Sequence, residues 1–108
     1  MTYDRGLVAR VADALEQIGE AGARQRGVFG GRGFLRGSRT FVIVWEDGLL
    51  VRLSPAEAAI ALKEPGVSPF APDGERPSRS WVIVGADAIA DDPELVEWVR
   101  RALRCLPN

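Results

Sequence analysis

VFGGRGFLRGSRTFVIVWEDGLLVRLSP, residues Val28–Pro55, is the stretch whose reading decides the fold. Thr40–Trp45 is β-branched and aromatic throughout, the composition of a strand. Asp47-Gly48 follows as a hairpin signal, because glycine accepts the positive φ that such a turn needs. Leu49–Leu53 returns as a second apolar strand. Ser54-Pro55 then opens a helix, with Ser as its cap and Pro in its first turn. Upstream, Gly30-Gly31 joins two shorter strands near Arg24–Phe29 and Gly33–Leu35.

A two-residue turn at Asp47-Gly48 pairs Trp45 with Leu50, Val44 with Val51, Ile43 with Arg52 and Val42 with Leu53. One sheet face then carries Val42, Val44, Val51 and Leu53. The other carries Phe41, Ile43, Trp45 and Leu50 beside Arg52. Both faces are apolar, so helices on one side alone would leave aromatic surface in water. A further segment, a protein partner or a second copy must cover it. Phe41, Ile43, Trp45, Leu50 and Arg52 are therefore the candidate interaction surface.

The flanks complete a two-layer α+β domain with a sheet of about five antiparallel strands. Leu7, Val8, Val11, Ala12, Leu15 and Ile18 recur at helical spacing, which predicts a first helix from Tyr3 or Asp4 to Ile18, capped by Thr2 or Asp4. After Ser54-Pro55 a short alanine-rich helix runs from Ala56 to Lys63, with Ala59, Ile60 and Leu62 as its inward positions. Val67–Ser80, rich in Pro, Gly, Ser and charge, reads as a surface loop. Trp81–Val84 is a fifth strand. Asp91-Asp92-Pro93 opens a last helix to about Leu106, with Leu95, Val99, Ala102, Leu103 and Leu106 on one stripe and Trp98 at its edge.

The chain has 108 residues, one domain's worth. Its 46% apolar and 27% charged residues are the balance of a soluble globular domain. There is no histidine, and Cys105 is the one cysteine, so a Ser-His or Cys-His pair, an intramolecular disulfide and a cysteine zinc site are all excluded. No stretch resembles a signal peptide or a membrane span, and a cytoplasmic location is the expectation. Asp91 and Asp92 stand where helix-capping carboxylates stand. No catalytic set, metal or cofactor is expected.

Charge is uneven beneath a net of −1. Arg24, Arg26, Arg32, Arg36, Arg39 and Arg52 face only Glu46 and Asp47 in their stretch, whereas Asp87 to Glu97 holds five carboxylates and no base. A basic hairpin can contact phosphates, with Gly30, Gly31, Arg32, Arg36 and Arg39 as candidate nucleic-acid or anion contacts. Consecutive backbone N–H groups at Gly30-Gly31-Arg32-Gly33 can also cradle an anion. The stretch lacks the Lys-Ser/Thr of a P-loop, and a tight strand connection is the plainer reading.

In this order and spacing the chain resembles the N-terminal domain of the TfoX/Sxy family, bacterial regulators of natural competence. The resemblance is carried by Phe29-Gly30-Gly31, Phe34-Leu35, Gly48–Leu53, Glu64–Val67, Arg76-Pro77, Trp81–Val84 and Ala90–Asp92 before the final helix. Val28 stands where the family usually has Met, Gly37-Ser38 where it has an Asn-Gly type of turn, and Ser80 where it has Gly. The resemblance implies a two-layer α+β fold. It also implies a link to transcription, since longer members act alongside the cyclic-AMP receptor protein and carry a second helical domain. This chain is expected to stand alone as a non-enzymatic interaction domain, with a protein partner or homodimer. Nucleic-acid binding, by fold-level analogy with YjbR-like proteins, is the alternative.

Overall fold

A computed structural model describes residues 3–20 and 22–106, and the side chain of Asp73 lies outside the description, as does Thr2. The hydrophobic periodicities become three helices, α1 (Arg5–Gln17), α2 (Pro55–Ala61) and α3 (Asp92–Arg104). Six strands form one sheet: β1 (Arg24–Val28), β2 (Gly31–Arg36), β3 (Arg39–Trp45), β4 (Gly48–Arg52), β5 (Val67–Pro69) and β6 (Trp81–Val84). Every pairing is antiparallel, in the spatial order β1-β2-β3-β4-β6-β5. The fold is α+β, with one strand more than the sequence reading counted. That strand is β5, three residues at the start of the segment read as loop.

Helix ends follow local chemistry. The Asp4 carboxylate accepts from the Gly6 and Leu7 N–H groups at 2.8 and 3.2 Å, and Ser54 Oγ accepts from Glu57 N–H at 3.2 Å. At α3 the Asp91 N–H donates to Glu94 Oε1 at 3.3 Å. Leu7, Val11 and Leu15 of α1 and Leu95, Val99 and Ala102 of α3 pack with Phe34, Val42, Val44, Leu49 and Val51 of the sheet. Trp98, expected at the edge of its stripe, is 5% exposed and belongs to this core. In α2 the buried positions are Ala58 and Ala61. The expected inward positions Ala59, Ile60 and Leu62 are all exposed, because the helix turns its Ala58–Ala61 stripe to the core instead.

The central hairpin departs from its expected register by two residues. Trp45 pairs with Gly48, Val44 with Leu49, Ile43 with Leu50 and Val42 with Val51, so the turn is Glu46-Asp47, with Glu46 at φ 55°. Gly48 serves another need: a Cβ there would lie 2.4 Å from the Val84 carbonyl oxygen of β6. A shift of two preserves the side-chain period, so each face keeps its members. Phe41 is the exception. Phe34 pairs with Val42 and Leu35 with Thr40, which makes Phe41 an extra residue in β3. The bulge breaks the alternation, and Phe41 enters the helix-side core beside Val42.

Candidate interaction surface

The sheet face turned away from the helices has a small core of its own. Ile43 and Leu50 have no exposed surface, and Phe70 covers them at 5% exposure. Val28, Trp45, Trp81 and Ile83 surround the three, half-buried. Phe70 sits just past β5, in the segment read as a surface loop. The Ser78 N–H donates to the Phe70 carbonyl at 2.7 Å, and Ser78 Oγ accepts from the N–H groups of Ser80 and Trp81. These bonds fold the Pro-rich segment back against the sheet. It is the single aromatic residue between Val67 and Ser80, which is the signal that could have found it.

The chain thus covers much of the face that seemed to need a partner. Of the five candidate surface residues, Phe41, Ile43 and Leu50 are buried within the chain, while Trp45 and Arg52 are half-buried. An aromatic group that sequence reasoning passed over stands out instead. Phe29 is 57% exposed, its ring 5.5 Å from that of Phe70, which in turn meets Trp45 edge-on at 5.9 Å. Phe29 and Gly30 form the two-residue β1–β2 turn with φ of 54° and 79°. This is the conformation of an Asn-Gly hairpin turn, here occupied by a bulky aromatic.

The glycine-rich stretch does not form an anion cradle. Gly31 and Gly33 are strand residues paired with Val28 and Arg26, and Arg32 pairs with Val44. Their N–H groups belong to the ladder rather than to a converging nest. A Cβ on Gly31 would lie 2.3 Å from the Val44 carbonyl oxygen, so close packing of β3 explains that glycine.

The arginines scatter. Arg36 is held by Glu20 at 2.6 Å, and Arg32 Nε donates to Gln25 Oε1 at 3.1 Å. Alternation puts both on the helix side of the sheet. Arg24, Arg26 and Arg52 lie on the outer side, and Arg39 sits exposed at the β2–β3 turn. The six strands contain six arginines and no carboxylate, so the acidic residues lie in helices and connections.

A cleft of about 690 Å³ lies on the other side, between Glu64–Gly66, Asp87 and α3. Arg101 holds Glu64 through two hydrogen bonds of 3.2 and 2.9 Å, and its guanidinium stacks 4.1 Å from the Trp98 ring centre. This pairing ties α3 to the end of α2. Among the described residues, no three Asp, Glu or Cys are grouped to hold a metal ion. No described helix is long and apolar enough to cross a membrane.

The chain matches the family defined by the TfoX N-terminal domain over residues 13–106. No curated relative and no solved structure matches it. The matched span begins within α1, takes in all six strands and ends beyond α3. The chain belongs to the TfoX N-terminal domain family.

Proposed function

We propose that this chain is a non-enzymatic interaction domain that engages another protein through the Phe29 end of the outer sheet face. One observation carries the reading. Phe29 holds a left-handed backbone, which costs an L-residue about 1–2 kcal/mol, yet leaves 57% of its surface in water. Packing on Phe70 covers only part of the ring and turn geometry does not favour a phenylalanine there, so contact with something outside the chain is the role that fits it. Half-buried Trp45 and Arg52 extend the same face. The absence of histidine from the chain supports a binding role over a catalytic one. We place this interaction in transcriptional regulation in the cytosol, a setting that the family membership supports.

The test separates folding from binding. Phe29→Asn installs the residue that the turn prefers, so the melting temperature holds or rises while the aromatic knob is gone. The immobilised wild-type chain is expected to retain a partner from its own cell extract that the variant does not retain. Identical retention by both overturns the proposal.

A second reading rests on the charge segregation of the sheet. Arg24, Arg26, Arg39 and Arg52 would meet phosphates, since Arg36 and Arg32 are engaged within the chain. It predicts micromolar binding of an oligonucleotide that falls steeply with salt and weakens on replacing Arg26 and Arg39 by Glu. No binding at low salt eliminates it.

A further inference from the structure

The two margins of the sheet are finished differently. β5 closes one margin with three residues, and Pro69 offers no N–H there. β1 forms the other, without proline, and four of its five residues are exposed. Its free backbone groups follow from the register. Val28 and Gly31 flank a two-residue turn, and in such a hairpin the flanking pair exchanges both ladder hydrogen bonds. Alternation makes Arg26–Gly33 and Arg24–Leu35 bonded pairs as well. The N–H and C=O groups of Gln25 and Gly27 are then directed away from β2, into solvent. Carried across the sheet, the same alternation requires Leu53 N–H to reach the Ser80 carbonyl and Gly85 N–H that of Gly66. Both bonds are present, at 2.7 and 2.8 Å.

The charge of this edge selects its occupant. Arg24 and Arg26 flank the free groups, and neither has an ion-pair partner among the described residues. Among the described residues, the Arg24 side chain donates only to the Gly37 carbonyl, at 3.3 Å. A second copy laid antiparallel along β1 would set arginines opposite or diagonal to arginines, which is unfavourable. An extended segment with carboxylates meets the opposite condition.

We infer that the β1 edge is a strand-addition site for an extended acidic segment of another protein. The main chain of that segment pairs with Gln25 and Gly27, and its carboxylates meet Arg24 and Arg26. This deepens the interaction-domain reading and rests on it, since the added strand would run beside the residues leading to Phe29.

The probe is a fluorescein-labelled ten-residue peptide of alternating Glu and Val, titrated into the full chain at low salt and followed by anisotropy and amide exchange. Saturable binding is expected, with exchange of the Gln25 and Gly27 amides slowed at least tenfold. The Gln25→Pro variant removes an outward donor but no ladder bond, and weakens binding at least tenfold while the melting transition remains. The R24E/R26E double variant weakens it similarly, and a Lys-for-Glu peptide does not bind. No binding, equal binding by Gln25→Pro, or tighter binding of a single-stranded DNA decamer overturns the inference. If the peptide fails while partner retention still depends on Phe29, the strand-addition site falls and the interaction domain stands.

Discussion

Replacing Phe70 by alanine tests whether the chain seals its own outer sheet face. The ring is 5% exposed and packs with Ile43 and Leu50, which have no exposed surface. A buried phenylalanine withdraws about 150–200 Å² from water, or about 4 kcal/mol at about 25 cal/mol per Å². The remaining methyl group and settling of the segment reduce this to about 3 kcal/mol, at the low end of phenylalanine-to-alanine costs. In a domain of this size each kcal/mol moves the melting midpoint by about 4–8 °C, so a fall of about 12–24 °C is expected. Urea unfolding followed by tryptophan emission measures the free energy, and Trp45, 5.9 Å from the Phe70 ring, reports on the site itself. Binding of a hydrophobic dye should rise, because Ile43 and Leu50 become accessible to water. A loss below about 1 kcal/mol with unchanged dye binding would refute the sealing role.

Four further substitutions probe the frame of the domain. Gly48→Ala should destabilise by about 1–3 kcal/mol, because its Cβ would press on the Val84 carbonyl oxygen and part β4 from β6. Gly37→Ala, at φ 62° with open space around it, should cost only about 1 kcal/mol; chemical denaturation of the pair checks the order. Arg10→Ala should cost about 1–2 kcal/mol, since Nη2 donates to the Ile89 and Ala90 carbonyls at 2.8 and 3.2 Å and joins α1 to the start of α3. Asp92→Ala removes the exposed ion pair and one first-turn carboxylate of α3 and should cost under about 1 kcal/mol in the same assay.

Much of this architecture was legible because periodicity survives small errors. The central hairpin was misregistered by two residues, yet Val42, Val44 and Val51 still fell on the helix side and Ile43 and Leu50 on the other. The misreading arose because Asp47-Gly48 carries the composition of a turn, whereas Gly48 is demanded by the neighbouring strand. A clash with a strand distant in sequence leaves no local signature. Phe41 was placed on the wrong face because a bulge is a property of a strand pair. The covering role of Phe70 was hidden for a similar reason: β5 has three residues, too few for alternation to be read, and prolines surround it. Within the candidate surface, Trp45 and Arg52 are half-buried. Phe29 is not legible as a surface residue because Gly30-Gly31 beside it carries the composition of the turn, whereas the turn is Phe29-Gly30.

Phe70 covers the outer face from within the chain, and the proposed interaction leaves the Phe29 end and the arginine-flanked β1 edge to a different molecule. Sedimentation velocity at high micromolar concentration tests this arrangement most directly. A single species at the chain mass of 11.7 kDa is the predicted result. A stable species of twice that mass would contradict it, because a second copy would then be covering the surface assigned here to Phe70 and to a foreign partner.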